Sequence, residues 1–206
     1  MYLPRKSPVL FKFFSWYIAY IIRKDFLSYT FNHIPVKNDE AVLLLANHFS
    51  WWDGFLIFQL NRLAFKKTFH VLVTKEDYER KWYLKYVGAF AAVNKGKDVV
   101  ETLAYAGSLL DRADNLVLVF PQGKLYTSYA DSIKFEKGVM QIINASKKKF
   151  QIVFSATLVD YFEMRKPAAR TYLRNWEAEE YVSLQLLKSE YNKHYEQSLK
   201  DQVGQL

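Results

Sequence analysis

The stretch "AVLLLANHFSWWDGF", Ala41–Phe55, decides how this chain is read. Its first six residues, Ala41–Ala46, are an unbroken apolar run of strand length. A strand that is apolar at every position is buried on both faces, as in a parallel sheet covered by helices. Asn47, His48 and Asp53 follow where that strand ends. In open α/β sheets, sites form at this carboxyl edge.

The same alternation runs outward from there. "FHVLVT" (Phe69–Thr74), "AFAAV" (Ala89–Val93), "LVLVF" (Leu116–Phe120) and "FQIVFSATLV" (Phe150–Val159) read as further strands, and "ARTYLR" (Ala169–Arg174) as an edge strand. Between them, helices are predicted over Asp53–Phe65, Lys75–Tyr86, Asp98–Ala113 and Glu136–Lys148, with a last one over Tyr181–Val203. In the third of these, Val99, Val100, Leu103, Ala106 and Leu110 fall at helical spacing. The expected class is α/β, a mainly parallel sheet flanked by helices.

Composition sets the bounds. At 206 residues, half of them hydrophobic, the chain is long enough for one substantial core. Seven glycines and five prolines are too few for a turn-rich all-β fold. The absence of cysteine excludes a disulfide framework and thiolate chemistry. A net charge of +8 points to an anionic partner. Aromatics at 17% together with Lys and Arg suit a membrane interface or single-stranded nucleic acid. No recognition helix or RNA-binding signature supports the second, so no nucleic acid is expected.

Val9–Ile22, "VLFKFFSWYIAYII", is apolar except for Lys12 and Ser15, with Arg5 and Lys6 before it and Arg23 and Lys24 after. It falls short of the roughly 20 residues that a spanning helix needs. It is too aromatic for a signal peptide, and no small-residue cleavage site follows. It reads as an amphipathic helix lying in the headgroup region; the alternative is a helix packed on the domain. The expected division is an N-terminal membrane-associating helical segment, 1–35, and an α/β domain, 36–206, with the linker near "HIPVKNDE". The protein is then peripheral, on the cytoplasmic face of the inner or cell membrane.

His48 and Asp53 can meet across a strand-to-helix turn. A carboxylate that accepts the imidazole N–H fixes the tautomer and leaves the other nitrogen as a base. Such a base takes the proton of an alcohol or amine that attacks a carbonyl. The plainer alternative for Asp53 is a helix N-cap. A second segment, "FPQGK" (Phe120–Lys124), follows the strand Leu116–Phe120. There Pro121 fixes φ and Gly123 permits a turn whose N–H groups can hold an oxyanion.

Together these residues resemble the glycerolipid acyltransferase superfamily. Asn47, His48 and Asp53 match its N-H-x-x-x-x-D motif, and Phe120, Pro121 and Gly123 match F-P-E-G-T-R-S. Gly88, leading into "AFAAVN", matches the second motif, and Lys137 and Gly138 match a lysine-glycine pair further on. The resemblance covers about Glu40–Val159. It implies transfer of an acyl group from acyl-CoA or acyl-carrier protein to a membrane lipid acceptor, without metal or bound cofactor. It casts His48 as general base and Asp53 as its orienting partner. Asn47, Gly88, Asn94, Phe120, Pro121, Gln122, Gly123, Lys124, Lys137 and Gly138 become donor- or acceptor-binding candidates. Trp51 and Trp52 line an acyl or membrane-facing mouth, or else belong to the core.

Several positions depart from the family pattern. Gln122 stands for Glu, Lys124 for Thr and Leu125 for Arg. Asn94 replaces the arginine of the second motif, and the proline of the fourth is missing from "IVFSATLV". Lys95, Lys97 and Lys124 are the nearby cations. The expected acceptor therefore lacks a phosphomonoester. A lysophosphatidic acid acyltransferase proper, a hydrolase using the same pair, and an inactive lipid- or carrier-binding relative are the competing readings.

Overall fold

The computed structural model describes residues 1–177 and 182–204. In chain order the elements are α1 (Pro8–Asp25), β1 (Ser28–Phe31), β2 (Ala41–Ala46), α2 (Asp53–Leu60), β3 (Thr68–Leu72), α3 (Lys75–Arg80), β4 (Ala89–Phe90), α4 (Lys97–Leu109), β5 (Asn115–Val119), α5 (Gly138–Ala145), β6 (Phe150–Asp160), β7 (Ala168–Trp176) and α6 (Leu184–Val203). The seven strands form one sheet in the order β1-β7-β6-β2-β5-β3-β4. Pairings are parallel except between β6 and β7. The α/β architecture is the one the alternation of apolar runs predicts.

β2 lies at the centre, every residue buried. Val42, Leu44 and Ala46 face one core with Phe14, Ile18 and Ile22 of α1 and Leu56 and Ile57 of α2. Ala41, Leu43 and Leu45 face the other, with Leu103 and Ala106 of α4, Ile142 of α5 and Tyr191 of α6. This period of two explains why the strand is apolar throughout: each face has its own helical layer.

Five expectations need correction. β7 is not an edge strand; it lies between β6 and β1, and β1 is the true edge. Its four residues, "SYTF", fall inside the expected N-terminal segment 1–35, and their exposure alternates along the short run. The strand expected over Ala89–Val93 is two residues long, after which Ala91 bridges to Tyr2. The helix expected over Lys75–Tyr86 stops at Arg80 and resumes as a single 3₁₀ turn, Leu84–Tyr86, where Trp82 and Tyr83 turn to meet Phe14 edge-on and tilted. Asp53–Phe65 is α2 followed by a π-helical turn, Asn61–Phe65. The last helix starts at Leu184, and Tyr181, where it was expected to begin, lies outside the described residues.

α1 begins with Ser7 as N-cap and Pro8 in the first turn, and ends with Arg23 and Lys24 where cations favour the dipole. Phe14, Ile18, Ile21 and Ile22 are buried, while Phe13, Trp16, Tyr17 and Tyr20 are exposed. Both ends are tied to the carboxyl edge of the sheet. Tyr2 pairs with Ala91 just past β4, and the Leu27 N–H donates to the Pro167 carbonyl just before β7. Its 18 residues span about 27 Å, close to the roughly 29 Å across seven strands. α1 thus crosses nearly the full width of that edge.

Candidate active site

The turn after β2 is built around one carboxylate. Asp53 Oδ2 accepts the Phe49 N–H at 2.6 Å and the Ser50 N–H at 2.8 Å, and lies 3.0 Å from His48 Nδ1. The Asp53 side chain is 4% exposed and that of His48 21%. An oxygen already accepting two backbone N–H groups is an acceptor towards the ring as well. Nδ1 therefore carries the hydrogen, and Nε2 keeps its lone pair. Asp53 does not cap α2, whose N-cap is Trp52 without a side-chain bond. Its carboxylate instead reaches back to fix the turn and the histidine.

The turn after β5 holds His48 from the other side. Phe120 stacks on the imidazole at 4.1 Å with 17° between planes. Gln122, buried, accepts the His48 N–H through Oε1 at 2.6 Å. Tyr126 donates its N–H to the His48 carbonyl at 3.0 Å. Gly123 closes the turn with φ +68° and donates to the Phe120 carbonyl. The two strand ends are adjacent because β2 pairs with β5, Leu45 opposite Val119.

Asn47 is buried beneath the turn. It makes a two-way clasp with Thr157 of β6, Nδ2 to the carbonyl at 2.9 Å and Oδ1 from the N–H at 2.7 Å. Tyr191 of α6 sits near the backbone of Asn47 and bonds the Ser155 carbonyl at 2.8 Å; burial drives its hydroxyl pKa well above the usual value. Thr157 lies in the stretch read against the fourth motif without being singled out there, and Tyr191 lies outside every motif.

A cleft of about 720 Å³ opens at His48. Its inner wall is apolar, from Ile18, Phe55, Phe58, Val71 and Leu84 among others. Trp51, Phe120, Gly123, Lys124 and Leu125 also line it. Trp52 does not; it packs edge-on to Phe26 in the core. The two tryptophans thus divide between the alternatives that the sequence left open. Lys75, Arg80 and Lys81 add charge at the cleft, alongside Glu76 and Asp77. These residues of α3 and its C-cap Lys81 escape the sequence reading because they lie outside every motif.

Asn94, Lys137, Gly138 and Gly88 do not line the cleft either. Asn94 is exposed and bonds Asp98 through both its N–H and its amide, at 3.1 and 2.9 Å. Lys137 precedes α5, and Gly138 packs against Leu103 of α4. Gly88, at φ +98°, lies against the Phe69 carbonyl, where a Cβ would come within 2.0 Å. Its role is to let the chain enter β4. Among the described residues, no group of three or more His, Asp or Glu is placed to hold a metal ion.

A His-Asp pair at the carboxyl edge of such a sheet is the arrangement the motifs imply for an enzyme that transfers acyl groups. The family described as Acyltransferase matches residues 29–156, more than half of the chain. The protein belongs to that family and is an acyltransferase. The fold is shared with the crystal structure of the 1-acyl-sn-glycerophosphate (LPA) acyltransferase PlsC from Thermotoga maritima. That likeness has a TM-score of 0.65 at 14% identity, over 93% of this chain and 78% of the other. No curated protein sequence matches.

Proposed function

We propose that the protein transfers a fatty acyl group from acyl-CoA or acyl-carrier protein to a hydroxyl or amine of a membrane lipid, with His48 as general base. The observation that carries this is the opening of an apolar cleft directly at His48. The acyl chain lies along the apolar wall, with its thioester carbonyl near the imidazole. Nε2 takes the proton from the acceptor as its oxygen or nitrogen attacks that carbonyl. Asp53 holds the ring and stabilises the imidazolium that forms. Collapse of the tetrahedral species expels the thiolate, which recovers the proton. The reaction needs no metal and no bound cofactor.

The acceptor, in this reading, carries no phosphomonoester. Arg80, the one arginine at the cleft among the described residues, pairs with Asp77 at 3.4 Å, and Lys81 pairs with the same carboxylate at 2.8 Å. The Lys124 ammonium lies 5.5 Å over the Tyr126 ring. Leu125 offers no donor, and Asn94 is engaged with Asp98. A phosphomonoester is best gripped by an open bidentate guanidinium fork, and the one arginine at the cleft among the described residues already faces Asp77.

The exposed aromatics of α1, with Arg23 and Lys24, favour a peripheral seat on the cytoplasmic face of a membrane. No helix among the described residues is long and apolar enough to cross a membrane.

The test is an assay of purified protein with acyl-CoA and with acyl-carrier protein, against lysophosphatidic acid and against uncharged hydroxy- and amino-lipids. Transfer to the latter, lost in His48→Ala, is expected. Efficient acylation of lysophosphatidic acid that disappears in Lys124→Ala overturns the acceptor reading. No transfer with any donor overturns the enzymatic mechanism.

A further inference from the structure

The hairpin between β6 and β7, "YFEMRKP" (Tyr161–Pro167), has a composition that its fold does not explain. Tyr161 is 60% exposed, Phe162 46% and Met164 47%. Phe162 adopts φ +47°, a left-handed conformation unfavourable to a bulky aromatic, yet leaves nearly half of its surface exposed. Glycine or asparagine ordinarily fills such a position. Arg165 and Lys166 follow at once.

Position gives these residues a purpose. β6 is parallel to β2, so the hairpin tip lies at the sheet edge that carries His48. The tip also adjoins the end of α1, because the Leu27 N–H bonds the Pro167 carbonyl and Ser28 pairs with Ala168. Val9, Phe13, Trp16 and Tyr20 are exposed and recur at helical spacing, so they form one stripe on α1 that runs towards the hairpin, and Leu27, just past the end of the helix, is exposed as well. The junction carries Arg23, Lys24, Arg165 and Lys166 against Asp25 and Glu163. Apolar side chains flanked by excess cations suit an anionic lipid surface.

We propose that the tip Tyr161–Met164 is a second membrane-contact point, which inserts into an anionic bilayer beside the C-terminal end of α1. It rests on the membrane reading of α1 given above. One helix fixes a line on the membrane but leaves the domain free to roll about that line. A second point off the helix stops the roll and keeps the carboxyl edge, with the cleft, against the lipid.

The chain has no cysteine, so single labels are clean. Trp16→Cys, Met164→Cys and Lys148→Cys, each carrying an environment-sensitive nitrobenzoxadiazole, are mixed with vesicles of equal parts phosphatidylcholine and phosphatidylglycerol containing a doxyl-lipid quencher. Lys148 is exposed at the opposite sheet edge, just before β6. Quenching at 16 and 164 but not at 148 is expected. A quenched label at 16 with a solvent-like label at 164 overturns the hairpin proposal and leaves the α1 reading intact. Solvent-like labels at both overturn the two together.

Phe162→Gly supplies a second readout. It relieves the left-handed backbone, so the melting temperature rises, while vesicle partition falls several-fold. A fall in melting temperature with unchanged partition means that Phe162 is structural, and sinks the proposal.

Discussion

The side-chain oxygen of Gln122 accepts the backbone N–H of His48 at 2.6 Å, joining the turn after β5 to the turn after β2. The two motifs are thus one structural unit. In the family pattern this position is glutamate, and an amide oxygen fills the same acceptor role without the charge. Gln122→Leu leaves that N–H buried and unpaired, which costs about 1–3 kcal/mol. Gln122→Glu keeps an acceptor oxygen. Chemical denaturation is expected to show the loss for leucine and a much smaller change for glutamate. Equal losses for both would mean that packing, not this bond, holds the turn.

His48→Ala is expected to lower the transfer rate by about 10²–10⁴ with an unchanged circular dichroism spectrum. Asp53→Asn is expected to be as severe and also less stable, because Oδ2 holds the Phe49 and Ser50 N–H groups as well as the ring. Near-normal turnover by folded His48→Ala would remove the histidine from the chemistry.

Gly88→Ala places a Cβ within 2.0 Å of the Phe69 carbonyl and does so at φ +98°. The backbone must move, since a carbonyl in a paired strand has no slack. A loss of about 2–4 kcal/mol is expected, read by urea unfolding. A loss under about 1 kcal/mol would show that β4 shifts freely.

His194 of α6 is buried, and desolvation lowers its pKa to about 4 from the ordinary 6.5. Its Nε2 bonds the Tyr172 carbonyl at 3.0 Å. Because the unfolded chain takes up this proton first, stability is full above about pH 6.5 and is lost as pH falls towards 4. The loss is on the order of 3 kcal/mol at most. Thermal melts across that range should show a steeper decline for the wild type than for His194→Gln, whose amide can still donate. Parallel declines would place the acid sensitivity elsewhere.

Trp16→Ser with Tyr20→Ser is expected to reduce flotation with anionic liposomes about tenfold or more without loss of fold, since both side chains are exposed. Deleting residues 1–24 is a poorer test. It strips Phe14, Ile18 and Ile22 from the core and should yield aggregated protein. Unchanged flotation of the double variant would move the membrane contact off α1.

Much of this was legible in the sequence, for identifiable reasons. β2, β5 and β6 are buried on both faces, and their apolar runs announce it. β1 was invisible because a four-residue edge strand with alternating exposure resembles a linker. The His48–Asp53 pair was legible because the residues that form it are near in sequence. The clasp of Asn47 on Thr157, 110 residues apart, was not, since nothing local to Thr157 distinguishes it from any strand threonine. Likewise the α3 cations reach the cleft only through the placement of β3 beside β5. Asn94 reads as a binding residue from its motif position alone, and nothing local reveals that Asp98 of the following helix engages its amide.

α1 contributes Ile18 to the cleft and Phe14 to the core, while its opposite side carries the exposed tryptophan and tyrosines. On the membrane seat proposed above, α1 would serve as a keel rather than a tether. A tether lets an enzyme diffuse within a volume above the bilayer. A keel sets the height and tilt of the catalytic mouth to within a side-chain length. Whatever alters the depth of that keel, such as lipid charge or headgroup packing, presses on the same helix that walls the substrate. Turnover should thus respond to bilayer composition even when the amount of protein bound is held constant.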